Sequence, residues 1–243
     1  MAFDRIKGDT MKKLLLLTAA LGAAILSPCT QARELELDDQ KFDISVYRKT
    51  GPRDAMNRIY TEKIIVKPGG RISKDAASQI HAAMEKFYQS LFAQGKTCRP
   101  DPQGGAWAYE AEFDEALMAF RTMSIVFNVT SACAGKHVFD KVGWTFEIST
   151  GKQLPPIALI NRYVPSLRKA GVRTNGNFLQ LNKDAVALVM SNLKPEIKTA
   201  CLDYFERSNY GVWLDEEGGV VFSPVFDYRY LNCAGRYYMA AEK

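Results

Sequence analysis

The chain has 243 residues, 47% of them hydrophobic and 24% charged, with a formal charge of +5. No predicted helix gathers its lysines and arginines with stacking aromatics, so nucleic acid is not an expected partner. Beyond the N-terminal segment, no stretch reaches the apolar length of a transmembrane helix.

That segment sets the expected address. From Met11 it reads MKKLLLLTAALGAAILSPCTQA: two lysines, an apolar run too short and Ala-rich for a span, and a small-x-small ending. This is the pattern of a secretory signal peptide over residues 1 to 32. Cleavage after Ala32 starts the mature chain near Arg33 and lowers the formal charge to about +3. The polar residues before Met11 leave Met11 as an alternative start. The expected location is periplasmic or secreted. A lipoprotein is the alternative, because Leu26-Ser27-Pro28-Cys29 approximates a lipobox, with Pro28 where Gly or Ala is wanted; an uncleaved anchor is a third reading. Residues 33 to 243 suffice for a single domain with a sizeable core.

Four cysteines follow the leader: Cys98, Cys133, Cys201 and Cys233. An even count in an exported chain reads as two disulfides, and three connectivities are possible. The text Cys-Ala-Gly-basic occurs at Cys133 and again at Cys233, each time about thirty-five residues after a cysteine at or within a helical stretch. That repetition favours Cys98–Cys133 and Cys201–Cys233, with a weak suggestion of a duplicated helix-and-strand unit. No Cys-x-x-Cys or His-x-x-x-His spacing supports a metal site, and no cofactor is expected.

In chain order, FDISVYRK (residues 42 to 49) and RIYTEKIIVK (58 to 67) alternate as strands. Pro68-Gly69-Gly70 ends the second. Ser73 caps a helix whose apolar face is Ile80, Met84, Phe87, Tyr88 and Leu91, a core seam expected to end at Gly95. After a Pro/Gly-rich loop (100 to 105), AWAYEAEFD, AFRTMSIVFNVTSAC and VFDKVGWTFEIS read as three more strands. Ser149-Thr150-Gly151-Lys152 is a strand-exit turn; it is no phosphate loop, since Gln153 stands where Ser or Thr is needed. A second helical region begins at Asn182, breaks at Pro195 and resumes through Phe205. The C-terminal segment reads as a meander of three strands. The expected fold class is α+β: a mainly antiparallel sheet with two helical segments packed on one face, stapled by two disulfides.

Chemistry-bearing residues are few. His137 with Asp140 could form an oriented general base, but no nucleophile accompanies them, and a turn histidine is the favoured reading. His81, with Glu85 one turn on, reads as a satisfied, partly buried histidine. Asp215-Glu216-Glu217-Gly218-Gly219 lacks the alternating ligands of a calcium loop and reads as a solvated hairpin turn that could attract a basic partner. Phe226, Tyr228 and Tyr230 alternate with Asp227 and Arg229; burial of one strand face is the favoured reading, and Tyr228, Arg229 and Tyr230 are candidates for a recognition patch as the alternative. Asn128-Val129-Thr130 matches a glycosylation sequon by chance in a bacterial-type exported chain.

Two blocks carry a family resemblance. The strand ending Cys-Ala-Gly-Lys-His, followed by a second strand and TFEISTGKQLPPIALI, resembles a small-Gly-x-His segment with its downstream Thr-Gly-Lys turn. The tail GVWLDEEGGVVFSPVFDYRYLNCAGRYYMA resembles the same family's closing block. The family is the RsiV-like domain of unknown function, found in the extracytoplasmic part of a lysozyme-sensing anti-sigma factor, and the resemblance covers residues 40 to 240. The chain departs from the family pattern at Ala134-Gly135-Lys136, at Val138 and at Leu231-Asn232-Cys233. The resemblance implies an α+β binding domain without chemistry of its own. The expected protein is therefore not an enzyme but an inhibitor or sensor that recognises an envelope component or a peptidoglycan-attacking enzyme such as lysozyme. The alternatives are an accessory or catalytic domain in peptidoglycan or carbohydrate processing, with peptidoglycan fragments as ligand, and a structural envelope protein.

Overall fold

Alternation of apolar and polar residues builds a first sheet from β1 (Arg33–Leu37), β2 (Gln40–Thr50), β3 (Arg58–Val66), β4 (Ala108–Met118), β5 (Thr122–Cys133) and β6 (Lys136–Glu147), with the short β7 (Gln153–Leu154) beside β6. These strands come from a computed structural model that describes residues 32–51, 57–98, 105–191, 193 and 195–242. The leader up to residue 31, with Met11 and Cys29, lies outside the described residues. Neighbours pair antiparallel except β3 and β4, which run parallel from Arg58↔Ala108 to Thr61↔Ala111. A parallel pair needs a long crossover, and helix α1 (Lys74–Thr97) supplies it.

Ser73 caps α1 as expected, its hydroxyl accepting from the Ala76 amide at 3.1 Å. The predicted seam packs on one face of the sheet, with the Phe87 ring 5.4 Å from Phe127 and 4.7 Å from Trp144. The helix does not stop at Gly95. A Cβ there would stand 2.8 Å from the Ile59 side chain, so this glycine serves close packing rather than termination. Tyr88 meets a backbone need: its hydroxyl accepts from Ile64 N–H and donates to Ile64 C=O, both at 2.9 Å, beyond the short stretch in which β4 pairs with β3.

The single sheet expected from the sequence is two. The helices α2 (Pro156–Tyr163) and α3 (Pro165–Gly171) follow, then the hairpin β8 (Val172–Asn175) and β9 (Phe178–Leu181), then α4 (Lys183–Val189) and α5 (Pro195–Arg207). Strand β10 (Asn209–Leu214) pairs with β11 (Val220–Pro224), and the short β12 (Phe226–Asp227) crosses back to pair with β6. Finally β13 (Tyr237–Met239) returns to β11, giving a second sheet in the order β13-β11-β10-β9-β8. Val212, Leu214, Val220 and Phe222 face the helices, while Trp213 and Val221 face Val126 of the first sheet. The layers therefore run helix, sheet, sheet, helices, and from Ala32 onward they form one compact unit.

Two glycines let the sheets approach closely around the contact of Trp213 with Val126. A Cβ on Gly211 would fall 1.9 Å from the Lys141 carbonyl oxygen, and one on Gly143 would fall 2.6 Å from the Trp213 Cβ. The fold is α+β with mostly antiparallel pairing, as expected. Helices α2 and α3 went unread because each is short and opens on a proline, which suits the first helical turn but reads in sequence as a loop.

Both expected disulfides are present, Cys98–Cys133 and Cys201–Cys233, closing loops of 35 and 32 residues. Constraint of the unfolded chain by loops of this size is worth about 4 kcal/mol each. The twin Cys-Ala-Gly texts nevertheless fold differently. Ala134 and Gly135, both at positive φ, make the two-residue turn between β5 and β6. Cys233 instead ends a 3₁₀ segment, Tyr228–Cys233, so the expected strand through Tyr230 stops at Asp227. Local pairing explains the break: Tyr230 stacks on Tyr204 of α5 at 4.5 Å, and the disulfide ties the segment to the same helix.

Candidate functional site

At one end of the sandwich, hairpin tips from both sheets converge. The β4–β5 turn is closed by Ala119 N–H donating to Thr122 C=O at 2.9 Å, which leaves Ala119, Phe120 and Arg121 at the tip. Arg71, from the approach to α1, donates to the carbonyls of Ala119 and Phe120 and holds the tip in place. The Phe120 side chain is 83% exposed, with the Arg121 guanidinium 5.7 Å from its ring centre. A large apolar ring held outward on a fixed backbone is the informative exception to apolar burial.

The acidic turn lies beside it. Asp215 Oδ1 accepts from the amides of Glu217 at 3.1 Å and Gly219 at 2.7 Å, and Gly218 takes φ +82°. Asp215 is thus built into the turn, as read from the sequence, while Glu216 and Glu217 line a shallow depression with Phe120, Arg121, Arg162 and Tyr163. Its volume is about 340 Å³. Tyr238 lies over Gly219, 41% exposed; burial and then the charges of Asp215 and Glu217 raise its pKa. Arg162 pairs with Glu147 at 3.3 Å. The composition is that of a protein-recognition patch: aromatic rings, arginines and a rim of charge.

The other sequence-selected residues stand elsewhere. His137 is exposed near the β5–β6 turn, opposite Ala132. Three residues along one strand place His137 and Asp140 on opposite faces, so the general-base pair considered from the sequence does not form. Arg229 forms a double hydrogen bond with Asp227, at 3.1 and 2.9 Å, which holds the Asp227 carboxyl below its usual range. Tyr230 turns toward Tyr204 rather than outward, and the Tyr228 side chain lies outside the described residues. The structure therefore joins Asp215, Glu216 and Glu217 to one patch and leaves His137 and the 228–230 segment apart from it.

Two half-buried titratable groups carry electrostatic tension. Asp140 has one enclosed oxygen without a partner; burial pushes its pKa up to about 7, with the Lys141 amide partly offsetting. His81 bonds the Val66 backbone, but its Nε2 is enclosed without a partner. Burial and then the nearby Lys67 and Lys63 lower its pKa. Glu85, once considered its partner, accepts from the Tyr47 hydroxyl at 2.7 Å and from Gln89 instead. Among the described residues, no group of three or more His, Cys, Asp or Glu is placed to hold a metal ion.

No protein-family model and no curated protein matches this chain. Phe120 is the residue that sequence reasoning missed. The alternation of AFRTMSIVFNVTSAC places it inside a strand, whereas β5 begins at Thr122 and Phe120 stands in the turn before it.

Proposed function

We propose that this is an exported, non-catalytic binding protein whose hairpin-tip patch docks a cationic protein of the cell envelope, in an inhibitory or sensing role. The observation that carries the reading is Phe120, held 83% exposed beside Glu216 and Glu217. The aromatic ring supplies the anchor; the acidic turn supplies attraction and orientation toward positive charge. The RsiV-like resemblance of residues 40 to 240 supplies the partner class, a c-type lysozyme. Two disulfides fit an oxidising compartment, and among the described residues no helix is long and apolar enough to cross a membrane.

The test is titration calorimetry against a c-type lysozyme at moderate and high salt. Saturable binding is expected. Phe120→Ala should weaken it about thirtyfold, the loss of a central aromatic anchor worth about 2 kcal/mol. The double variant Glu216→Gln, Glu217→Gln should chiefly slow association and flatten the salt dependence. An affinity untouched by either variant would place the interface elsewhere and remove the reading.

A further inference from the structure

Three polar side chains on neighbouring strands of the first sheet meet at one carboxylate. Strands β4, β5 and β6 lie side by side, with Asn128 of β5 directly opposite Lys141 of β6. On β4 the register shifts between Phe113 and Glu115, so Asp114 is the extra residue of a bulge, re-aimed toward that row. Lys141 and Asp114 stem from strands about 10 Å apart, two strand spacings, and their side chains meet over Asn128 in the strand between.

The hydrogen bonds order these groups as reactants. Lys141 Nζ donates to Asp114 Oδ2 at 2.5 Å, while Asn128 Nδ2 donates to Asp114 Oδ1 at 2.8 Å. One carboxylate thus holds an amine and a carboxamide side by side. Arg236 Nη2 also donates to Asp114 Oδ2 at 2.8 Å, and its Nη1 pairs with Glu115 at 2.5 Å, which fixes the carboxylate from a third direction. Only 21% of the Asp114 side chain and 27% of the Lys141 side chain remain exposed, so most water is kept from the cluster. The buried Trp213 of β10 lies under the Arg236 guanidinium, 5.8 Å from ring centre to cation.

An ion pair needs only Lys141 and Asp114. Asn128 adds a carboxamide whose nitrogen already rests on the second carboxylate oxygen, where a proton donor for a leaving group belongs. The nucleophile is the cross-strand neighbour of the carbon it would attack.

We infer that Lys141 and Asn128 join in an intramolecular amide bond, with Asp114 carrying the protons. Asp114 Oδ2 takes a proton from the Lys141 ammonium, and the freed amine attacks Asn128 Cγ. As the Nζ–Cγ bond forms, Asp114 gives that proton to Nδ2 and accepts a second one from Nζ. The Cγ–Nδ2 bond breaks, and the nitrogen departs with the second proton as ammonium, so Asp114 ends as the carboxylate it began. No oxidant, cofactor or second protein takes part; the fold contributes proximity and orientation. The product also removes one of the two cations that share Asp114 Oδ2. Like a disulfide, the bond constrains the unfolded chain, and unlike one it survives reduction.

The test is mass spectrometry of the purified full chain, folded first and then denatured with its disulfides reduced. It should weigh about 17 Da less than its sequence, one ammonia, and a tryptic digest should contain a branched peptide joining Lys141 to Asn128. Lys141→Arg keeps the cation but should restore the unreacted mass. Asp114→Ala keeps both reactants and should also leave them unjoined; the wild-type spectrum decides the matter even if this variant folds poorly. Wild-type protein of full sequence mass overturns the inference. So does a loss of about 18 Da with Lys141 linked to Asp114, the product of water release, or a Lys141–Asn128 peptide that persists in Asp114→Ala.

Discussion

Asp140 lies half-buried on β6, with one carboxylate oxygen enclosed and unpaired, and burial raises its pKa from 3.8 to about 7. A carboxyl whose folded pKa is raised holds its proton in the native state after the unfolded chain has lost it. Stability is therefore fully present below about pH 4, falls as pH rises through the folded pKa, and is flat above it. A shift of about three units corresponds to at most about 4 kcal/mol; water reaching the rest of the residue reduces this to about 2 kcal/mol. Asn keeps the shape and removes the charge, so Asp140→Asn should match wild type near pH 4 and exceed it at pH 8. For a chain of this size, about 2 kcal/mol raises Tm by about 4 to 8 °C. Burial raises the pKa of Tyr109, and that of Tyr204 to about 12, so both stay neutral at pH 8 and add no competing titration. His81 acts oppositely: its lowered folded pKa costs stability as pH falls through its ordinary 6.5. The readout is accordingly the Tm difference between variant and wild type, from scanning calorimetry at pH 4 and pH 8 with disulfides intact. An equal difference at both pH values, or a less stable variant at pH 8, would refute the reasoning.

Gly211→Ala should destabilise by about 3 kcal/mol or more, since its Cβ would meet the Lys141 carbonyl at 1.9 Å and force the sheets apart; urea unfolding measures it. Tyr88→Phe strips both Ile64 backbone groups of their partner at an expected cost of about 3 kcal/mol, and hydrogen exchange at the Ile64 amide should accelerate with it. Ala134→Asn should stabilise by up to about 1 kcal/mol, because Ala134 sits at φ +51° in a two-residue hairpin turn where Asn is at ease; a thermal melt that is unchanged or lower counts against that reading.

The candidate docking patch was half legible. Asp215 to Gly219 announced a turn through its own side-chain chemistry, and the structure places Asp215 as the acceptor that closes it. Nothing in Ala119-Phe120-Arg121 says that the ring stays outside; that depends on Arg71, about fifty residues away, holding the tip carbonyls. The cluster around Asp114 was illegible for the same reason in stronger form, since it assembles Asp114, Asn128, Lys141 and Arg236 from segments more than a hundred residues apart. The segment 226 to 230 shows the reverse error. Its alternation reads as a strand, yet stacking of Tyr230 on Tyr204 and the disulfide from Cys233 to α5 select a 3₁₀ turn.

By itself the sequence determined what rests on neighbours along the chain. The Ser73 cap and the seam from Ile80 to Leu91 made α1, alternation made β2 through β6, and the repeated spacing of cysteines anticipated both disulfides. Tertiary structure alone decided that there are two sheets, where they touch and what they enclose. The physical reason is that a glycine such as Gly143 or Gly211 is locally indistinct; its missing side chain acquires meaning only when Trp213 or the Lys141 carbonyl arrives to occupy the space.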